Sequence, residues 1–363
     1  MVAPAKTALI MAGGTGGHVF PALAVATTLQ AQGVNVHWLG TRSGLEAKVV
    51  PAAGFDMSFI KIKGLRGKGS LSWLLAPFKV FIAIIEALQV CLKVKPQIVL
   101  GMGGFVTGPG GVACRMLGKP LVVHEQNAIP GMTNKLLSKI AMRILCAFPN
   151  VFVAPGRVFH TGNPVRESIL NIPKPAQRYT ERTGPIRILV VGGSLGAQVF
   201  NEVVPHALAS LAPELSYEVW HQTGKQKLTP TIENYKRQQI TAKIVEFIDN
   251  MDEAYAWADV VICRAGAMTV AELSNVGLAS ILVPYPYAVD DHQTANAKYL
   301  SDSKAAILIQ QVELTSKRLA KELTEMMSAG REYLLKMALQ ALEMGKPDAT
   351  EQVVQHCLEV AHG

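Results

Sequence analysis

Six residues near the N-terminus, Gly13-Gly14-Thr15-Gly16-Gly17-His18, combine glycines with one titratable ring. Glycine lets a backbone come close to a ligand, and a helix start offers unpaired N–H groups to an anion. Histidine titrates near neutrality, so His18 at the end of the loop suits a general base that takes a proton from a hydroxyl. A second loop, Gly192-Gly193-Ser194-Leu195-Gly196-Ala197, follows about half the chain later and has Ala197 where the first has His18. Whatever His18 does, only the first half of the chain does it. A third glycine-rich turn runs from Gly101 to Gly111 and includes Gly103, Gly104 and Phe105. The polar run His124-Glu125-Gln126-Asn127 ends an apolar stretch, which makes Glu125 the rival base. In the second half, Thr269 and Glu272 fit a capping box, while Gln293 and Asn296 are three apart and share a face if helical. Asp290-Asp291 reads as a helix start, and no His/Cys/Asp/Glu grouping has metal-ligand spacing.

These residues need a scaffold that presents loops at strand ends. Thr7 to Ala12 reads as a buried strand, Pro21 as part of a first helical turn, and Ala22 to Gln32 as a helix stopped by Gly33. Ile186 to Val191 opens the second half in the same way. Two units that each begin strand, G-G-[ST]-x-G, helix predict two Rossmann-like α/β domains. In open sheets of that kind, ligands bind at the carboxyl ends of the strands. The second strand ends Leu39-Gly40-Thr41-Arg42 without the acid that reads a ribose, and Val19 stands where the last glycine of G-x-G-x-x-G belongs. That argues against a nicotinamide cofactor, and no P-loop sequence occurs. Pro173, Pro175 and Gly184 punctuate a polar stretch that reads as an inter-domain linker.

The chain has 363 residues, enough for two domains, and its net charge of +8 favours anionic partners such as nucleotides, phospholipids or nucleic acid. Five scattered cysteines read as reduced core residues of a cytosolic protein. The N-terminus has no long apolar segment typical of a signal peptide, and no stretch reaches the ~20 apolar residues of a membrane span. Residues 61 to 92 stand out, because Lys61, Lys63, Arg66, Lys68 and Lys79 occur with no acid between Asp56 and Glu86. They adjoin Trp73, Leu74, Leu75 and Phe78. A basic collar beside an apolar helix suits an anionic membrane surface. A buried helix with a solvated basic loop is the other reading.

Taken in order, G-G-T-G-G-H, G-G-F-V-T-G-P-G-G, H-E-Q-N, G-N-P-V-R, G-G-S-x-G-A, C-R-A-G-A-M-T-V-A-E and D-D-H-Q-x-x-N-A form a pattern that spans residue 8 to about 300. The chain thereby resembles the bacterial UDP-N-acetylglucosamine:lipid I N-acetylglucosaminyltransferases of peptidoglycan synthesis, the MurG family. The resemblance implies a GT-B fold: two Rossmann-like, doubly wound parallel-sheet domains facing across a cleft. It implies an acceptor- and membrane-binding domain over 1–166, a UDP-GlcNAc-binding domain over 167–345, and a helix over 346–363 returning to the first. The implied reaction is an inverting, β-1,4-forming hexosyl transfer that needs no metal or other cofactor. Its partners would be UDP-GlcNAc, a polyprenyl-diphosphate-linked MurNAc-pentapeptide and an anionic membrane, with cell-wall and division proteins besides. Its place would be peripheral, on the cytoplasmic face of the inner membrane.

Carried over residue by residue, the resemblance gives Arg166 and Ser194 the donor diphosphate, Glu272 the ribose and Ile248 the uracil. Ala267, Gln293, Asn296 and Asn127 would meet the GlcNAc, with Met268, Thr269, His292 and the loop residues Thr15, Gly16 and Gly17 also on the donor. Gly14, Thr15, His18, Gly103, Gly104 and Phe105 would face the acceptor. Leu195, Phe105 and His292 depart from the Gln, Tyr and Gln that other members carry there. A UDP-GlcNAc 2-epimerase of the same architecture is the alternative enzyme, but it has no use for a lipid surface. A nucleic-acid-binding protein fits the charge but not the 6% aromatic content.

Overall fold

The computed structural model describes residues 6–62, 76–180 and 182–361. Of the basic–apolar segment, Lys63, Arg66, Lys68, Trp73, Leu74 and Leu75 lie outside the described residues. The chain divides into two compact units, Met1–Arg166 with Pro347–Gly363, and Glu167–Lys346.

In the first unit, strands β1 (Thr7–Met11), β2 (Asn35–Gly40), β3 (Asp56–Phe59), β4 (Ile98–Gly101), β5 (Leu121–Glu125), β6 (Arg143–Cys146) and β7 (Val158–His160) form a parallel sheet in the order 3-2-1-4-5-6-7. In the second, β8 (Ile186–Val191), β9 (Tyr217–Gln222), β10 (Lys243–Val245), β11 (Val260–Cys263), β12 (Ala279–Leu282) and β13 (Ala306–Leu308) form a parallel sheet in the order 10-9-8-11-12-13. Both are doubly wound, and the strand order reverses between β1 and β4 and again between β8 and β11. The glycine loops leave β1 and β8 at those reversals, where such sheets bind ligands.

Side-chain alternation along β1 divides the first unit's core. Ala8 and Ile10 face the helices Gly16–Ala31 and Ala349–Val360, while Leu9 and Met11 face the helices Ala76–Val94 and Thr107–Met116. The last helix buries Val353, Val354, Cys357 and Val360 in that first layer. Arg143 of β6 ties it down by pairing with His356 Nδ1 and the Glu359 carboxylate. All five cysteines are buried, and none is in a disulfide. No described helix is long and apolar enough to cross a membrane.

Two sequence expectations give way. The helix after β1 starts at Gly16 with Thr15 as its N-cap, so His18 lies in its first turn and Pro21 well inside it. The polar stretch after Arg166 is packed rather than a free linker. It contains the helices Glu167–Leu170 and Pro175–Thr180, with Ile169, Arg178 and Tyr179 buried. Arg178 donates to the carbonyls of Tyr255, Val276 and Gly277, and Tyr179 OH donates to the Asp259 carbonyl at 2.5 Å. Guanidinium groups can satisfy the orphan carbonyls at helix ends, and composition does not reveal them.

Each unit also buries a neutral histidine. His124 donates from Nε2 to the Gly162 carbonyl at 2.9 Å and accepts from Gln126 at Nδ1, and burial pushes its pKa down to about 4 from 6.5. His221 pairs with Asn201 Oδ1 and Tyr235 OH, and burial pushes it down to about 3. The unfolded chain takes up these protons below about pH 6.5, so stability is complete above that value and falls as the pH drops toward the folded values. Each histidine contributes about 1.4 kcal/mol per pH unit in that window. Calorimetry between about pH 7 and 5 should show melting temperatures falling with pH, with a shallower slope in His221→Gln. A melting temperature that stays level across that range contradicts the assignment.

Candidate functional site

In the first unit the glycine turn after β4 supports the loop after β1. Gly103 and Gly104 have φ of 95° and 85°, values that disfavour any side chain. A Cβ on Gly104 would strike the Gly13 carbonyl, so two backbones are in direct contact there. A Cβ on Gly103 would come within 2.6 Å of His18 Cδ2 and 2.9 Å of Nε2, so this edge of the imidazole is against that glycine. Thr107 Oγ1 donates to the carbonyls of Met11 (3.0 Å) and Gly103 (2.7 Å), linking the two strand ends. Thr15 Oγ1 is 3.4 Å from His18 Nδ1, leaving Nε2 on the Gly103 side. Thr15 and Gly17 are exposed and His18 is half-buried. Phe105, 51% exposed, stands beside the turn.

Sequence reasoning missed Glu46. Its side chain is fully buried, yet it has no signal beyond a lone acid in an apolar helix. Gly14 N–H donates to Glu46 Oε2 at 3.0 Å, and Thr41 donates to Oε1 from both N–H (2.9 Å) and Oγ1 (2.8 Å). The Gly14 N–H is therefore committed to a carboxylate.

Glu125 is likewise buried and hydrogen-bonded through both carboxylate oxygens. Oε1 accepts from Asn127 N–H at 3.0 Å, while Oε2 accepts from Gly131 N–H (3.0 Å) and Asn134 Nδ2 (2.9 Å). It organises the turn after β5, with Asn127 half-buried beside it, and three of its roughly four lone-pair sites are taken by these donors. Gln126 donates to the Met102 carbonyl at 2.8 Å and so fastens this turn to the one after β4. Arg166 is exposed at the last position of this part of the unit.

In the second unit the loop after β8 has the same spacing but another shape. Gly196 N–H closes a turn on the Gly193 carbonyl at 2.8 Å, and the helix begins only at Gln198, with Ala197 as N-cap. Gly196 packs on the backbone of Thr223 and Gly224 after β9. Lys227 Nζ donates to the Leu195 carbonyl at 3.1 Å, and Ser194 is exposed at the loop tip. Ile248 is buried in the turn after β10.

The helix Ala267–Val276 starts from Gly266, so Thr269 sits inside it and the expected capping box with Glu272 does not form. Glu272 Oε2 instead accepts from Tyr255 OH at 3.1 Å. Ala267 and Met268 occupy the first turn of that helix. The helix His292–Ser301 carries both Gln293 and Asn296. Gln293 Oε1 accepts from Tyr285 N–H at 2.9 Å, and the fully buried Asn296 donates to the Ala265 carbonyl at 3.2 Å. His292 Nδ1 is 2.7 Å from the Val289 carbonyl. Arg264, which sequence reasoning quoted without a role, stacks over Phe200 and Tyr285 and donates to the Val283 and Pro284 carbonyls. Among the described residues no group of three or more His, Cys, Asp or Glu is arranged to hold a metal ion.

The helix Ala76–Val94 buries only small side chains, Ala76, Ala83, Ala87 and Cys91. Phe78 (65% exposed), Phe81 and Ile85 point outward, and Lys79 is exposed beside them. Lys61 is exposed too, and its N–H donates to Glu86 at 2.6 Å, so the acid that ends the basic stretch folds back onto its start. The neighbouring helix Thr107–Met116 and the turn at 138–142 add a cavity of about 620 Å³, lined by Arg115, Met116, Lys139, Ile140 and Met142 among others.

Comparison with known proteins follows the same division. Residues 8–146 match the glycosyltransferase family 28 N-terminal domain and residues 187–353 the family 28 C-terminal domain. A Shewanella denitrificans protein named UDP-N-acetylglucosamine--N-acetylmuramyl-(pentapeptide) pyrophosphoryl-undecaprenol N-acetylglucosamine transferase is 54% identical over 356 residues, covering 97% of this chain and 96% of its own. The crystal structure of Acinetobacter baumannii MurG superposes with a TM-score of 0.86 at 41% identity, covering 98% of this chain and 99% of that one. UDP-GlcNAc 2-epimerase from Neisseria meningitidis superposes at 0.69 with 13% identity over 98% of this chain and all of that one, a likeness of fold alone.

If Glu272 acts through Tyr255 rather than as a cap, the two residues are coupled. A double-mutant cycle of Tyr255→Phe and Glu272→Ala should give a stability coupling of about 0.5–3 kcal/mol by calorimetry. Strictly additive losses would return Glu272 to a role within its own helix.

Proposed function

The chain belongs to glycosyltransferase family 28, and we propose from that membership that it transfers N-acetylglucosamine from UDP-GlcNAc to the 4-hydroxyl of MurNAc in undecaprenyl-diphosphate-MurNAc-pentapeptide, converting lipid I to lipid II. Its two parallel-sheet α/β units are those of the GT-B fold. The observation that carries the reading is the unequal pair of glycine loops at the two strand-order reversals. One presents an imidazole in the first turn of a helix, and the other a bare turn with a helix start behind it.

In this reading the first unit takes the acceptor and the second the donor. The bond from the anomeric carbon to the UDP oxygen breaks as the bond to the acceptor O4 forms on the opposite face, with inversion. His18 takes the hydroxyl proton, with Thr15 and the Gly103 backbone fixing its ring. Glu125 is the clamp of its own turn rather than the base. Negative charge growing on UDP meets Ser194, Arg166 and the start of the helix Gln198–Ala209, which do the work a metal does elsewhere. Glu272, aligned by Tyr255, takes the ribose hydroxyls, and Ile248 meets the uracil through its backbone. Gln293 offers its amide nitrogen to the sugar, with Asn127, Met268, Thr269 and His292 completing the donor set. Asn296 supports the set by holding the Ala265 carbonyl behind Ala267.

A peripheral seat on the membrane brings the protein to a lipid-linked acceptor. Phe78, Phe81 and Ile85, with the basic rim of Lys79, Arg115 and Lys139, have the composition of such a seat. Because these side chains are exposed, replacing them tests the surface without disturbing the core. Phe78→Ser with Phe81→Ser, or Arg115→Glu with Lys139→Glu, should lower sedimentation with anionic vesicles. Each basic residue at such a surface is worth about 1 kcal/mol. Charge-reversed protein that sediments like the parent at every salt concentration rules the surface out.

Incubation with UDP-GlcNAc and a lipid I analogue in EDTA should yield the disaccharide product and UDP. His18→Ala should lose about 10²–10⁴-fold in kcat while UDP affinity and melting temperature hold. Product that appears only with added Mg²⁺ overturns the metal independence, and absence of product from the parent protein with and without Mg²⁺ overturns the function. Near-parent kcat in the variant overturns only the base.

A further inference from the structure

We infer that Glu46 is a positioning residue for the His18 loop: its buried carboxylate fixes the turn at Gly13 and Gly14, and through it the helical turn that carries the imidazole. The inference rests on the reading of that loop as the acceptor side of the transferase. A carboxylate without contact to water is costly to bury unless its oxygens are hydrogen-bonded, and here three neutral donors converge on it. The donors come from both ends of the arrangement. Gly14 belongs to the loop after β1, and Thr41 directly follows β2, the strand paired to β1. The carboxylate therefore ties the loop to the neighbouring strand end across the hydrogen-bonded sheet.

The glycines around it carry the same message. A Cβ on Gly13 would lie 2.7 Å from Glu46 Oε1, and one on Gly40 2.8 Å from Glu46 Cγ. A Cβ on Gly44 would overlap the carboxylate itself. Three glycines in three segments thus leave room for this side chain rather than for a ligand. Gly14, with φ of 94°, is held in its left-handed conformation by the same bond. Gly104 presses on Gly13 and Gly103 on His18, so the loop is gripped from both neighbouring strands, with Glu46 as the polar half of the grip. The sequence contains the acid expected near the end of the second strand, but a few residues late, and the fold turns it inward to the loop instead of outward to a ribose.

Glutamine at this position keeps the volume but turns an N–H₂ toward at least one of the three donors. Glu46→Gln should lose about 10–100-fold in kcat, since small displacements of a catalytic group cost that much. The KM for UDP-GlcNAc should change by less than kcat, because the residues given the diphosphate, ribose and uracil lie outside this loop. Thr41→Val, which removes one donor to the same carboxylate, should show a smaller loss, and Thr41→Ser should restore parent behaviour. Val354→Ala, in the last helix, serves as a control that lowers the melting temperature without a comparable fall in kcat. Amide hydrogen exchange supplies a readout independent of activity: residues 13–18 should exchange about tenfold faster in Glu46→Gln, and residues 192–197 should not change. If kcat and loop exchange stay at parent values, or if the loss simply follows melting temperature in all variants including the control, Glu46 is not a positioning residue. If Glu46→Gln does not fold, Thr41→Val decides by the same two measurements. If the parent makes no product, the transferase reading fails by itself, and exchange in residues 13–18 still decides the role of Glu46.

Discussion

Parallel pairing of β1 with β4, and of β8 with β11, is the constraint on which the rest depends. At those pairs the winding of each sheet reverses, so the connections leave in opposite directions and the carboxyl ends of the strands stay uncovered. Loops that emerge there must turn sharply and pack on one another with little room for side chains. In the first unit the answer is glycine against glycine, at Gly13 and Gly104, with Thr107 tying their strands together. In the second it is Gly196 against Thr223 and Gly224, from the strand on the other side. His18 and Ser194 lie in the loops that these backbone contacts shape.

The same constraint explains why two loops of matching sequence differ. The first enters its helix at once: Gly16 and Gly17 are its first residues, and the Thr15 carbonyl accepts from the N–H groups of His18 and Val19. The second closes an additional turn at Gly196, whose φ of 67° breaks the path into the helix. His18 consequently rides on a rigid helical turn, while Ser194 sits at an exposed tip. A rigid support suits a group that must meet a proton at hydrogen-bond distance. An exposed turn suits a polyanion that can be held by several donors at once.

Buried polar groups supply much of the remaining order. Glu46, Glu125, His124, Gln126 and Asn134 are all buried in the first unit, and each is held by hydrogen bonds to the turns that follow β1, β4 or β5 or to their neighbours. In the second unit Asp259 takes that part, paired with Arg182 and Arg331 at the opposite, amino ends of the strands. Such groups cost stability unless bonded, and each bond they make excludes alternative arrangements, although Gln126 Oε1 and Asn134 Oδ1 are buried without a partner. The polar run that ends β5 is thus itself held in place, and Glu125, bonded to Asn127, Gly131 and Asn134, is its clearest case.

The sequence by itself determined the two α/β units, the strands at their centres and the glycine loops, because buried parallel strands are continuous apolar runs and loops at their ends need glycine. Seven motifs in order were enough to identify the family. Local pattern did not carry the start of the first helix, since Gly16 and Gly17 read as loop, nor the packed state of the stretch after Arg166, whose anchors are arginine and tyrosine hydrogen bonds. It placed Thr269 and Glu272 in a capping box that tertiary contact dissolves, because the helix starts earlier and Tyr255, distant in sequence, claims the carboxylate. Glu46 read only as a lone acid a few residues past the second strand. Whether a carboxylate is a base, a ribose ligand or a clamp depends on which donors surround it, and those donors come from segments that only the folded sheet brings together.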